Sequence, residues 1–167
     1  MWLSDGRELT GSYGTWKGKI FELRQTAPLA DGTLILERAG GDSPGPEWVT
    51  QAGAHSFGRP PVAHIRFVPA DEVKDIHAVS AEGIFGSRCR VFVLAEDGKG
   101  NLAVEASAAN LVSDKKRLLS QYGFEVRPGD PVERTSVLGW LPVELVHDFK
   151  SEVVWPKDDD LRRIPCS

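Results

Sequence analysis

The sequence predicts an α+β fold: a curved antiparallel sheet built as a meander, with two helices late in the chain. Three observations carry this. Up to about residue 108 the chain runs in short stretches of alternating apolar and polar residues, the period of a half-buried strand. Gly-containing pairs such as Lys17-Gly18, Asp31-Gly32 and Asp97-Gly98 separate those stretches, as hairpins require. After that point the apolar spacing lengthens to that of a helix.

The elements follow in order. Ser4-Asp5-Gly6 turns between Trp2-Leu3 and a strand through Leu9 to Trp16. Lys17-Gly18 leads into Lys19–Thr26, where Phe21 and Leu23 face one way while Ile20, Glu22 and Arg24 face the other. Asp31-Gly32 leads into a strand over Thr33–Arg38. Residues 40–61 hold five glycines and four prolines, a composition that precludes regular structure. Strands resume at Ala63–Val68, with His64, Arg66 and Val68 alternating against Ile65 and Phe67. Pro69 to Val73 fits one helical turn, and three strands follow near Ile76–Phe85, Arg88–Ala95 and Leu102–Ala106. The first helix is predicted over Asp114–Tyr122, with Ser113 as N-cap and Gly123 just past its end. The second is predicted over Pro142–Val153, because Pro favours the first helical position and Val146, Phe149 and Val153 recur at helical spacing.

Composition narrows the function. The 167 residues suit a single domain, 1–167, large enough to bury a core without metal or disulfide staples. Twenty basic and 24 acidic residues give a net charge of −4, which argues against nucleic acid, since phosphate binding needs clustered Lys and Arg. The Lys115-Lys116-Arg117 run reads as a solvated helix face. No apolar stretch approaches membrane-spanning length, and the start lacks the order of a signal peptide, so a cytoplasmic protein without membrane contact is expected. The two cysteines, Cys89 in an apolar strand and penultimate Cys166, predict no disulfide.

Catalytic and metal motifs are missing. Gly41-Asp42-Ser43-Pro44-Gly45-Pro46 is similar to the nucleophile segment of trypsin-like proteases, but all four histidines follow Ser43, where that mechanism's chain order puts His first. Cys89 in an apolar strand predicts a raised thiol pKa and an inert side chain. Without Cys-x-x-Cys, His-Glu-x-x-His or closely spaced histidines, neither a metal nor a cofactor is expected. Asp97-Gly98-Lys99-Gly100 lacks the spacing and following helix of a phosphate loop, and Asp158-Asp159-Asp160 reads as a solvated tail.

A partner-binding surface is the remaining expectation. The long Gly/Pro segment carries Trp48, His55 and Phe57, and aromatic residues on loops are common interface anchors. Asp42 and Glu47 would add electrostatic steering. On the expected second helix, Glu144, Asp148 and Glu152 would form an acidic ridge able to meet a basic partner.

The opening Trp2-Leu3-Ser4-Asp5-Gly6, the Tyr13-Gly14-Thr15-Trp16 segment and the run Leu34-Ile35-Leu36-Glu37-Arg38, in a small acidic chain, resemble bacterial immunity proteins. Within that class the likeness points to the immunity factors of NAD-glycohydrolase toxins of the tuberculosis necrotizing type. It spans most of the chain and assigns no individual residue. The resemblance implies a cytosolic antitoxin that catalyses nothing and blocks the active site of a cognate secreted toxin. Two other readings stay open: a small-molecule or peptide-binding accessory domain, and an enzyme of unrecognised type.

Overall fold

The computed structural model describes residues 1–52, 57–126 and 129–154. Contacts divide the chain into two compact units. One comprises Met1–Thr10 and Ser80–Glu152; the other comprises Gly11–Val79 and the described end of the chain from Val153.

The Gly11–Val79 unit is an antiparallel ladder of β1 (Gly11–Trp16), β2 (Lys19–Leu23), β3 (Thr33–Ala39), β4 (Val49–Ala52), β5 (Val62–Pro69) and the first half of β6 (Val73–Phe85). Its hydrogen-bonded order is β4-β5-β3-β2-β1-β6. Lys17 and Gly18 both have left-handed backbones, with φ of 49° and 78°. That is the two-residue turn whose twist matches the strands it joins, and it sets Trp16 opposite Lys19. Alternation then sorts the side chains. Trp16, Leu23, Leu34, Leu36, Val68 and Val73 share one buried cluster on one face.

Two expectations for residues 40–61 need correction. The segment is not without regular structure, because Val49–Ala52 pairs with β5 as an edge strand. Trp48 is no free anchor: only 9% of it is exposed, and its ring packs 5.6 Å from that of Phe21. Burying an indole outweighs the loop-like composition around it.

The other unit contains the second half of β6, then β7 (Cys89–Glu96), β8 (Asn101–Ala106), α1 (Val112–Gln121), β9 (Glu125–Val126), β10 (Val137–Pro142) and β11 (Val146–Val154). The order is β6-β7-β8-β10-β9, with β11 paired to β6. Asp97 shapes the β7–β8 hairpin by accepting the N–H groups of Lys99 and Asn101. Phe85, Val91, Val104, Leu118, Val137 and Leu141 pack in its core. The helix ends where expected, at Gly123, whose φ of 67° suits glycine. It begins slightly early: Leu111 is the N-cap, without a side-chain bond, and Ser113 lies inside the first turn.

The fold class is therefore corrected. Among the described residues α1 is the one α-helix, and the second expected helix does not form. Pro142 closes β10, Val143–Leu145 make a single 3-10 turn, and the chain continues as β11. Two physical reasons are visible. The segment is rich in β-branched valine, which favours strands. Gly83 on β6 has no side chain where a Cβ would collide with Val146, so β11 can lie close against it. The helical spacing of Val146, Phe149 and Val153 was coincidental. No described helix is long and apolar enough to cross a membrane.

Candidate functional site

The most developed site lies on the face of the Gly11–Val79 ladder opposite its tryptophan core, where Tyr13 and Ile65 are buried beside it. Glu22 on β2 and Glu37 on β3 are direct cross-strand partners. Their neighbours Leu23 and Leu36 point into the core, so period-two alternation forces both carboxylates onto the other face. They are only 4% and 7% exposed. Two like charges side by side at that burial need compensation.

Two arginines supply it. Arg59, near the end of the Gly/Pro segment, donates from Nη2 to Glu22 Oε2 at 2.7 Å and lies 3.4 Å from Glu37 Oε2. Arg24 donates from Nη2 to Glu37 Oε1 at 3.4 Å. The Gln51 side-chain oxygen accepts from both terminal nitrogens of Arg24, at 2.6 and 2.8 Å. Glu37 thus sits between two guanidinium groups, and Arg59 ties the end of the long loop to the sheet. These residues, with Gly11, Ser12, Leu23 and Ala52, line a cleft of about 490 Å³. The arginines reach nearer the solvent than the carboxylates, at 28% and 19% side-chain exposure for Arg24 and Arg59.

An apolar patch adjoins this cleft on the same face. Phe67 pairs directly with Ile35, and Val49 pairs with Ile65 two positions along the same strand. Phe67 is 53% exposed and Val49 56%, while Ile35 is half-buried. Gln51 follows Val49 by two residues on β4, so the patch runs into the cleft without a break.

The loop beside the patch is pinned rather than merely long. His64 is buried, and its Nε2 donates to the Gly41 carbonyl at 2.8 Å. In the neutral ring Nδ1 then accepts from the Thr50 hydroxyl, also at 2.8 Å.

The sequence-predicted residues scatter around this site. Asp42 and Glu47 are exposed, and Glu47 reaches Arg66 at 3.7 Å. Trp48 supports β4 from the core side, Phe57 is half-buried, and His55 lies outside the described residues. The acidic ridge fails with its helix. Glu144 lies in the 3-10 turn, and Asp148 and Glu152 are exposed on β11. Asp148 has a φ of 52° and accepts from the His147 ring. Cys166, Trp155 and the Asp158-Asp159-Asp160 run also lie outside the described residues.

Other groups offer less. Cys89 is a buried free thiol whose pKa burial pushes up to about 11, with Asp114 adding to the effect. Such a thiol stays protonated near neutral pH and makes a poor nucleophile. Among the described residues no group of three or more His, Cys, Asp and Glu is placed to hold a metal ion. A second cleft of about 370 Å³, in the other unit, has two highly exposed arginines. Arg88 is held by Asp114 and Arg90 by Glu82.

Sequence reasoning missed Glu22, Glu37, Arg24, Arg59, Gln51, Val49 and Phe67 as a site. Alternation did put Glu22 and Arg24 on one face and set Phe67 apart from Val68. The register that joins them needs the three-dimensional pairing. Comparison with protein-family models, with curated proteins and with solved structures finds no match to this chain.

Proposed function

We propose that this protein acts by binding rather than by catalysis, as an immunity protein that covers the active site of a cognate toxin. The toxin class is the NAD-glycohydrolase one implied by the sequence resemblance. The observation that carries the reading is the exposed apolar pair Phe67 and Val49 on a sheet edge otherwise rich in polar groups. An exposed aromatic side chain with an aliphatic neighbour on a rigid strand has the chemistry of an interface anchor. Trp48 fixes β4 from behind and His64 fixes the loop, so little ordering entropy remains to be lost on docking. In the adjoining cleft the four charged side chains are paired with one another, which favours a fixed recognition surface over a free acid or base.

The test measures NAD hydrolysis by the NAD-glycohydrolase toxin of the same genome, with and without an equimolar amount of the protein. Hydrolysis should stop, and Phe67→Glu should restore it while the variant melts at nearly the wild-type temperature. Hydrolysis unchanged by the wild-type protein would rule out this toxin class.

A further inference from the structure

The two units are built on one plan, and a position filled in the first stands open in the second. The strand order β4-β5-β3-β2-β1-β6 of the Gly11–Val79 unit recurs as β9-β10-β8-β7-β6-β11 in the other. The register recurs with it. Thr33 faces Pro69 and Glu37 faces Ile65, as Asn101 faces Pro142 and Glu105 faces Leu138. Each of those prolines leads into one 3-10 turn, whose first N–H donates to the carbonyl of the glycine just before β3 or β8. Ala70 bonds Gly32 and Val143 bonds Gly100, both at 2.9 Å. Each turn ends on a valine seated where a glycine leaves room, Val73 at Gly14 and Val146 at Gly83. Two residues past each valine, Asp75 and Asp148 have left-handed φ angles of 51° and 52°. Glu105 therefore holds in the second unit the position of Glu37 in the first.

What occupies the Glu37 position is visible: Arg59, from the chain's own long loop, reaches Glu37 and Glu22 together, and Glu37 and Ile65 are buried. Glu105 is only half-buried, and among the described residues it makes no ion pair or hydrogen bond. Its direct cross-strand neighbours are Phe92 and Leu138, both half-buried. Past Leu138 in the same row stands Glu125, exposed and likewise unpaired among the described residues. At the other end of the row Glu82 is already held by Arg90. Glu105 and Glu125 thus leave two negative charges unbalanced, which calls for a cation. Phe92, in the place that Glu22 has in the first unit, narrows the kind. Directly opposed side chains have Cβ atoms about 5 Å apart, so one group can touch both Glu105 and the ring. A guanidinium suits that pair, donating along its edge to the carboxylate while its face stacks on the aromatic ring; a strongly hydrated ammonium does this less well. We infer that this face of the Ser80–Glu152 unit is a receptor for an arginine side chain of a protein partner, bonded to Glu105 and stacked on Phe92. Leu138 and Trp140, two residues apart on one face of β10 with Trp140 38% exposed, take the apolar neighbours of that arginine. Arg59 on Glu37 is its counterpart within the chain. The site is separate from the docking face around Phe67, which belongs to the other unit.

The full chain is titrated with the peptide acetyl-Leu-Arg-Leu-amide, and separately with the same peptide carrying lysine or citrulline in place of arginine. The NMR signals of the Trp140 indole N–H and the Leu138 methyls provide the readout. Saturable shifts with the arginine peptide are expected, with weaker binding of the lysine peptide and weaker still of the uncharged citrulline one. Glu105→Gln should weaken the arginine peptide roughly tenfold, the scale of a hydrogen bond to a charged group. That variant should melt at nearly the wild-type temperature, because Glu105 has no described partner to lose. Phe92→Leu provides a second variant, in which the preference for arginine over lysine should disappear. No saturable shift, equal binding of the lysine or citrulline peptide, or binding unchanged in Glu105→Gln would each overturn the receptor. A preference for arginine undiminished in Phe92→Leu would overturn the stacked placement. None of these results touches toxin inhibition, which stands or falls on Phe67→Glu.

Discussion

Trp48 and Val49 are chain neighbours with opposite environments, one in the tryptophan core and the other half exposed to solvent. The alternation of a strand is enough to separate them. Their substitutions should separate as sharply. Trp48→Ala removes a buried indole and should lower stability by about 3–5 kcal/mol, read in denaturant unfolding. Phe67→Ala, on the exposed face, should stay within about 0.5 kcal/mol of wild type. Equal losses for the two would mean that Phe67 is part of a core. Lys115 tests the residue scale differently. It is fully buried on α1, and its ammonium donates to the carbonyls of Ala108 and Thr135, both at 3.2 Å. Its position in a basic run gave it the reading of a solvated residue, yet it ties two connecting segments to the helix. Lys115→Met keeps the stem and leaves both carbonyls unpaired. A loss of roughly 1–3 kcal/mol should follow, and an unchanged midpoint would show that water replaces the ammonium.

At the scale of elements, the contact between Gly83 and Val146 decides whether the last third of the chain is read correctly. Gly83→Ala should destabilise by about 1–3 kcal/mol, because the new methyl meets Val146 as β11 lies against β6. Val146→Ala in the same chain should recover part of that loss, and simple additivity in the double-mutant cycle would argue against the contact. The early strands were legible because their cues are local. Lys17-Gly18, Asp31-Gly32 and Asp97-Gly98 act within a few residues, and each does join successive strands. The end of helix α1 was legible for the same reason, through Gly123, whereas Ser113 fell inside the first turn instead of capping it. The region after Pro142 was not, because its conformation is decided by a partner strand some sixty residues earlier in the chain. The candidate site shares that limit. Glu22 and Arg24 were assigned to one face, but Glu37 and Arg59 reach them only through the β2–β3 register and the path of the long loop.

Across the whole molecule, titrating groups with shifted pKa values set the pH range in which these contacts act together. Asp5, Asp31 and Asp97 each cap a turn. The backbone N–H of Arg7 holds the Asp5 carboxyl below its ordinary range; the Thr33 hydroxyl does so for Asp31, and the Asn101 amide for Asp97. A depressed carboxylate contributes stability that is fully present above about pH 4, its unfolded value, and lost as pH falls through the lower folded value. His147 works in the other direction. Its Nε2 faces the Gly86 carbonyl at 2.6 Å and its Nδ1 faces the Asp148 carboxylate at 3.1 Å. Only the protonated ring donates to both, so the Gly86 carbonyl first and Asp148 second raise its pKa. That contribution is complete below about pH 6.5 and disappears as pH rises through the raised folded value. Melting temperature should therefore form a plateau between about pH 4 and 6.5 and decline on both sides. His147→Gln should flatten the alkaline decline and leave the acid one, whereas Asp31→Asn with Asp97→Asn should do the reverse. An alkaline slope identical in wild type and His147→Gln would show that the tie between β11 and the Gly86 turn does not depend on the imidazolium.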